Sequence, residues 1–248
     1  MIETLLILTT LAATPTPTEV LVKVQASYKK LGDMEALFSQ TYVDKLRGKR
    51  HEESGRLWAK QDGRLRWSYD KPTPKDFVYD GETAYFYEPE NAQVTVFERF
   101  QDSPLSGAVR FLWGQGNIAE LFDVRACATS CDVGDKGDRV VELWPKSEIP
   151  TVDHSVFAVD PKTDRVRVSV VFDPLGNRTE YRLTELKAVT KVPDAKFQFN
   201  VPKGVSVLRA NADVEARPDD AKVPSRPDTK KPADDSKSPP KPLDKKSK

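Results

Sequence analysis

The sequence has little of what several common protein functions depend on. Its 248 residues contain two cysteines, two histidines and nearly equal numbers of basic and acidic residues, 39 and 38. A nucleic-acid-binding protein needs a basic excess to neutralise phosphates, so the balanced charge argues against a nucleic-acid partner. The apolar run at residues 5–13 is too short to span a bilayer.

Residues that could carry catalysis or bind a metal are also scarce. Ser103, Ser106 and Ser147 have no Gly-x-Ser-x-Gly context, so no activated serine is indicated. His51 lies in a run of charges and His154 in a strand-like segment, and neither has a metal-ligand spacing. We expect both histidines at the surface, and we predict no enzymatic activity, no metal and no cofactor.

The amino terminus resembles a secretory signal. Residues 1–14 contain the apolar run and precede a Thr-Pro-Thr-Pro break, although no Lys or Arg precedes the run. The alternative is a buried first helix or strand. No cysteine follows the run, which argues against a lipid-anchored amino terminus, so we expect a soluble, exported protein.

Cys127 and Cys131 lie four residues apart, just before a turn-rich segment. In an exported chain this placement favours a disulfide that closes a small loop. A metal site is the alternative, but it would need two further ligands that no histidine supplies at a suitable spacing.

Few segments show helical periodicity. Residues 18–31 predict a helix, with Thr18 as its cap, an apolar stripe at Leu21, Val24, Tyr28 and Leu31, and Gly32 as its stop. Ser103-Pro104 predicts the start of a second helix. Asn117, with Glu120 three residues on, indicates a short third one.

Most of the remaining chain alternates apolar and polar residues, as strands do. The later strands are predicted at residues 140–144, 152–159, 165–172 and 177–186. About nine to eleven strands with two or three helices predict one α+β domain, a curved antiparallel sheet wrapped over helices, at residues 15–211.

The composition changes at residue 212. Residues 212–248 contain seven prolines, ten basic and eight acidic residues and no aromatic residue. Such a segment cannot bury enough apolar surface to offset chain entropy, so a disordered, solvated tail is predicted.

An ordered series of motifs runs from Ser54 to Pro89. A Gly-x-Leu-Trp strand is followed by a strand that contains Trp67 and Tyr69, and then by an Asp-Gly hairpin and an aromatic-rich strand. This series resembles the periplasmic outer-membrane lipoprotein carrier family, LolA. The matching residues are Gly55, Leu57, Trp58, Lys60, Leu65, Trp67, Tyr69, Pro72, Asp80, Gly81, Tyr85, Tyr87 and Pro89. Phe38-Ser39-Gln40 and residues 195–204 extend the resemblance to roughly residues 20–208.

The resemblance implies a fold and a function. The fold is an unclosed antiparallel β-barrel covered by a helical lid, and the function is transport of acylated lipoproteins through the periplasm. The implied partners are an inner-membrane ATP-driven releasing complex and an outer-membrane lipoprotein acceptor, and a monomer is expected. The residues expected to line an acyl-chain cavity are Tyr28, Trp58, Leu65, Trp67 and Tyr69. The alternative is a lipid-sensing regulatory or scaffold module of the same fold that binds a protein partner.

One position departs from the family pattern. Where the family has an arginine that bonds lid-helix carbonyls, this chain has Gln61. A neutral amide forms weaker bonds than a guanidinium group. Either the lid is held more loosely, or Arg64 or Arg66 takes over the contact.

Overall fold

The computed structural model describes residues 14–100, 118–128 and 131–210. Two α-helices lie in this part of the chain, α1 (Pro17–Leu31) and α2 (Ile118–Leu121). The strands are β1 (Met34–Val43), β2 (Arg50–Ala59), β3 (Leu65–Lys71), β4 (Lys75–Tyr79), β5 (Ala84–Glu88), β6 (Gln93–Phe97), β7 (Phe122–Ala126), β8 (Arg139–Pro145), β9 (His154–Asp160), β10 (Arg165–Phe172), β11 (Arg178–Ala188) and β12 (Ser206–Ala210). Pro89–Asn91 and Asp194–Phe197 form short 3-10 helices.

Helix α1 begins two residues earlier than its sequence signals predict. Thr16, not Thr18, is the cap: its hydroxyl accepts from the Glu19 N–H at 3.3 Å, and its own N–H donates to the Glu19 carboxylate at 2.7 Å. This reciprocal arrangement satisfies two backbone donors that a helix start leaves open, and Pro17 in the first turn needs no donor partner. Gly32, at φ 75°, ends the helix as predicted.

The twelve strands form one sheet in the order β12-β6-β5-β4-β3-β2-β1-β11-β10-β9-β8-β7. All neighbours are antiparallel except β12 and β6, and the two edge strands do not pair with each other, so the barrel is unclosed as predicted. The strand number exceeds the predicted nine to eleven. Several strands have only five residues, too few to show a clear alternation.

Bulges bend the sheet around its helix. The register shifts between Glu35 and Leu37, between Ser54 and Gly55, and between Val166 and Val168. A bulge adds local twist and bends its strand. At Gly55 the neighbouring strand comes so close that a Cβ atom would lie 1.9 Å from the Ser68 carbonyl oxygen, so this position requires glycine.

The main core lies between α1 and the sheet. Helix α1 contributes Val20, Leu21, Val24 and Tyr28, and it contacts β7, β8 and β10. We call the sheet face that it covers the inner face. The buried side chains of this core on β1 to β3 are Met34, Ala36, Phe38, Leu57, Ala59, Leu65 and Tyr69.

A second, smaller core lies on the outer face. It consists of Val156 and Ala158 of β9, Val168 and Val170 of β10, and Val133 from the loop between β7 and β8. That loop begins at a disulfide between Cys127 and Cys131, whose Cα atoms are 5.6 Å apart. The loop is held down by ion pairs from Asp135 to Arg167 and Arg182.

One histidine prediction is wrong. His51 is exposed, but His154 is only 8% exposed, because its ring stacks between Trp144 and Phe172 with both ring centroids 4.5 Å away. The predicted second helix at Ser103-Pro104, the first thirteen residues and the tail lie outside the described residues. Within the described ranges, no helix is both long and apolar enough to cross a bilayer.

Candidate functional site

Strand β3 supplies the centre of the inner face. Leu65, Trp67 and Tyr69 alternate with polar residues, so all three side chains point toward the same face. Phe38 of β1 packs against this row, with its ring centroid 4.9 Å from both the Trp67 and the Tyr69 rings. Tyr181 of β11 meets Trp67 edge-on at 5.6 Å. Aromatic pairs at these distances and tilts stabilise each other beyond the burial of their area.

The strand register corrects one predicted member of this group. Leu57 pairs with Trp67 and Ala59 with Leu65, which are inner-face pairs, whereas Trp58 pairs with Arg66 on the outer face. The Lys196 ammonium lies 4.1 Å from the Trp58 ring centroid. A strand has a side-chain period of two, so Trp58 cannot share a face with Leu57, and it does not line the inner face.

Tyr28 reaches the inner face from α1. It is 2% exposed, and burial raises the pKa of its hydroxyl. The hydroxyl lies near the backbone of Val166 but forms no hydrogen bond of ordinary geometry. The indole N–H of Trp67 likewise has no acceptor among the described residues. The Tyr28 hydroxyl and the Trp67 N–H are thus buried in an apolar region without full hydrogen bonding, which is uncommon in protein cores.

One end of the inner face is polar, and sequence reasoning missed it. The Tyr69 hydroxyl donates to the buried Gln40 amide oxygen at 2.8 Å. Beside it, Lys75 pairs with Glu53 at 2.6 Å, and the Lys75 ammonium lies 4.5 Å from the Tyr69 ring centroid. The only sequence signal was the Phe-x-Gln motif at residues 38–40, because Lys75 and Glu53 read as ordinary surface charges.

The sequence left open whether Gln61, Arg64 or Arg66 contacts the helix, and the structure shows that Gln61 does. Its side-chain amide donates to the carbonyl of Lys29, in the last turn of α1, at 3.1 Å. Its backbone N–H donates to the Asp33 carboxylate at 3.1 Å, and the other Asp33 oxygen accepts from Val192 N–H at 2.9 Å. Asp33 therefore ties the end of α1 to the β2–β3 turn and to the segment after β11.

The two candidate arginines contact a different segment. Arg64 pairs with Asp62 at 2.7 Å and with Asp194 at 3.0 Å. Arg66 pairs with Asp76 at 3.0 Å and donates to the Lys196 carbonyl at 3.3 Å. Both arginines thus contact the 3-10 helix Asp194–Phe197, and neither takes the place of Gln61 at α1.

The inner face is covered in this structure. Leu65 is 4% and Tyr69 is 7% exposed. A recess of about 500 Å³ lies elsewhere, among β5, β6 and β12, and its lining includes Glu82, Glu98, Arg99 and Arg209. Four charged side chains do not suit an acyl chain, so the inner face remains the candidate site.

Comparison with known proteins identifies relatives over most of the chain. A family model described as "Outer membrane lipoprotein carrier protein LolA" matches residues 29–200. A protein of Chromobacterium violaceum named outer-membrane lipoprotein carrier protein is 30% identical over 198 residues, which cover 79% of this chain and 90% of the relative. A Pseudomonas fluorescens protein of the same name is 27% identical over 204 residues, covering 82% and 94%.

Solved structures also resemble the chain. An uncharacterized conserved protein from Thermus thermophilus covers 77% of this chain and 98% of its own, with a TM-score of 0.48 and 16% identity. A LolA superfamily protein from Nitrosomonas europaea covers 75% and 99%, with a TM-score of 0.42 and 13% identity.

Proposed function

The chain belongs to the LolA family of outer membrane lipoprotein carrier proteins, and we propose that it is a periplasmic carrier that shelters the acyl chains of lipoproteins. The carrier would receive its cargo from an inner-membrane ATP-driven releasing complex and deliver it to an outer-membrane acceptor, without catalysing a reaction. The observation that carries this proposal is the apolar row of Leu65, Trp67 and Tyr69, which belongs to the same core as the buried side of the amphipathic helix α1.

The energetics of the cargo define what the inner face must do. Burial of a methylene contributes about 0.8 kcal/mol. A 16-carbon acyl chain that leaves a membrane therefore loses about 12 kcal/mol, which burial in the carrier must offset. Only a large apolar surface supplies this. Because α1 covers the inner face here, we propose that its side chains separate from the sheet when cargo enters. Acyl chains would then replace Leu21, Val24 and Tyr28 against Leu65 and Phe38.

The contact at Gln61 fits such an opening. One neutral amide bond at 3.1 Å joins the β2–β3 turn to Lys29 of α1. A neutral hydrogen bond contributes about 0.5–1.5 kcal/mol, whereas a charge-assisted bond contributes about 1.5–3. The polar contact at Gln61 therefore adds little to the free-energy cost of opening the helix. The Trp67 N–H and the Tyr28 hydroxyl would find acceptors in the ester carbonyls of the cargo.

The carrier must first reach the periplasm. We propose that residues 1–14 are a signal peptide, that residues 15–211 form the carrier domain and that the tail at residues 212–248 is not needed for cargo binding. Amino-terminal sequencing of protein from the periplasmic fraction tests the signal. A protein that keeps residue 1 and stays in the cytoplasm would contradict export.

Mass spectrometry of material that co-purifies with the protein from the periplasm tests the carrier role. Acylated lipoproteins or their acylated peptides are the expected cargo. Phospholipids alone would indicate a general lipid carrier, and a stoichiometric non-acylated protein would indicate a regulatory or scaffold module. A Leu65→Glu variant serves as the matched control, because cargo held on the inner face should be missing from it.

A further inference from the structure

Two hairpin turns meet at one end of the sheet and present its most exposed apolar side chains. Residues 44–49 join β1 to β2, and residues 173–177 join β10 to β11. Strands β1 and β11 are neighbours, with Val43 paired to Arg178, so the two turns lie side by side. Leu46 is 90% and Leu175 is 74% exposed, the highest values for large apolar residues in the described part of the chain. We call residues 44–49 and 173–177 the twin tips.

Hydrogen bonds fold each of the twin tips and join them to each other. The backbone N–H of Lys45 donates to the Asn177 side-chain oxygen at 3.0 Å, and the Lys45 side chain lies across Gly176. Within the second turn, Asp173 accepts from the N–H groups of Leu175 and Asn177, both at 2.9 Å. Within the first, Asp44 accepts from Arg47 N–H at 2.8 Å. The exposure of the two leucines is therefore built into the turns.

Basic residues surround the two leucines. The twin tips contain three basic and two acidic residues, a net charge of +1, and Arg50 and Arg178 follow directly after them. Arg47 pairs with Asp44, Arg50 with Glu52 and Arg178 with Glu180. Across the described ranges, no ion pair forms at Lys45 or Lys49, which leaves their ammonium groups available to an external anion.

We propose that the twin tips dock on the surface of an anionic phospholipid membrane. Leu46 and Leu175 enter the headgroup region, while Lys45 and Lys49 contact lipid phosphates. Apolar tips flanked by lysines match the two components of a bilayer surface, an apolar layer beneath a layer of negative charge. Two side chains and a small net charge give weak, reversible binding, since stable anchoring takes stronger signals.

A lipid surface fits the tips better than a protein partner does. A specific protein interface generally needs at least ~1,000 Å² with complementary shape. The twin tips offer two isolated leucines on convex turns instead of a broad face. This contact does not rest on the carrier function, because the tips lie away from the inner face.

Co-sedimentation of the processed protein with vesicles tests the docking. Binding to vesicles of phosphatidylethanolamine and phosphatidylglycerol is expected at low salt, with weaker binding to phosphatidylcholine alone and loss of binding at high salt. Leu46→Ser with Leu175→Ser should weaken binding by about tenfold. Leu208→Ser is the matched control, since Leu208 is 50% exposed on β12, and it should bind like the unchanged protein.

A charge variant provides the second, independent arm. Lys45→Glu with Lys49→Glu should abolish the preference for anionic vesicles while the melting temperature stays the same. Acyl-probe affinity should be unchanged in every tip variant, so a failure of docking is distinguishable from a failure of the carrier role. The proposal is overturned if the unchanged protein ignores anionic vesicles, or if the leucine variant binds them equally well. Tip-dependent self-association in sedimentation velocity without lipid binding would overturn it in favour of a protein contact.

Discussion

The side-chain amide of Gln61 donates to the carbonyl oxygen of Lys29, 3.1 Å away, and so joins the β2–β3 turn to the last turn of α1. The family pattern places an arginine here, which would form a stronger, charge-assisted bond to the same kind of carbonyl. The strength of this contact sets how readily α1 leaves the inner face under the proposed mechanism. A variant at this position therefore tests the mechanism directly.

Gln61→Arg is expected to stabilise the empty protein and to slow cargo loading. A charge-assisted bond is worth about 1.5–3 kcal/mol, against about 0.5–1.5 kcal/mol for the neutral bond that it replaces, and the gain of about 1–1.5 kcal/mol corresponds to about a five- to tenfold shift in the closed population. Acyl-probe affinity and melting temperature, measured side by side, check this. Gln61→Ala should move both quantities the opposite way. If neither variant changes either quantity, Gln61 does not control the helix.

Leu65→Glu is expected to lower acyl-probe affinity by at least about tenfold. Leu65 is 4% exposed, and a carboxylate in an apolar site either remains charged at a high cost or becomes protonated. Leu208→Glu, on the exposed side of β12, is the matched control and should bind normally. Leu65→Phe keeps the site apolar, and its acyl-probe affinity should equal that of the unchanged protein. Normal binding by Leu65→Glu in a protein with unchanged circular dichroism would contradict the inner-face site.

Loss of the disulfide between Cys127 and Cys131 is expected to lower the free energy of unfolding by about 2 kcal/mol, the loop-entropy value for so short a ring. The disulfide lies at the start of the loop between β7 and β8, whose Val133 packs in the same cluster as Ala158. Denaturant unfolding of Cys127→Ser with Cys131→Ser checks the size of the effect. Thiol labelling of periplasmic protein should find no free cysteine, and two labelled thiols would show that the bond does not form.

The contribution of Asp194 to stability should depend on pH. Its carboxylate accepts from Lys60 at 2.5 Å and from Arg64 at 3.0 Å, and the Lys60 hydrogen bond, followed by both charges, lowers its pKa below the ordinary 3.8. A lowered pKa in the folded state contributes stability above the ordinary value and loses it as the pH falls through the lowered one.

Asp194→Asn should therefore lower the melting temperature at pH 7, and the difference should shrink as the pH falls below 3.8 and disappear below the lowered pKa. Glu90→Gln is the matched control, because Glu90 is exposed and forms no ion pair in the described part of the chain. It should leave the melting temperature unchanged. A difference for Asp194→Asn that persists undiminished in acid would show that packing, not charge, holds the segment.

Local signals in the sequence were enough to predict helix α1 and strand β10. The apolar stripe of Leu21, Val24 and Tyr28 predicted the buried side of α1, because a helix repeats every 3.6 residues whatever its surroundings. The strict alternation at residues 165–172 predicted β10 with both of its ends. The helix cap was misplaced by two residues, since Thr16 and Thr18 offer equivalent hydroxyls and only the Glu19 contact selects between them.

The sequence by itself determined the class of the fold, the inner-face row of Leu65, Trp67 and Tyr69, and the family to which the chain belongs. Only the tertiary structure decided that Trp58 faces outward, that His154 is buried between two aromatic rings and that Gln61, not Arg64 or Arg66, reaches the helix. The physical reason is the range of the interactions. Periodicity and turn chemistry act over a few residues, whereas these contacts depend on strand register and on segments that lie far apart in the chain, such as Arg64 and Asp194.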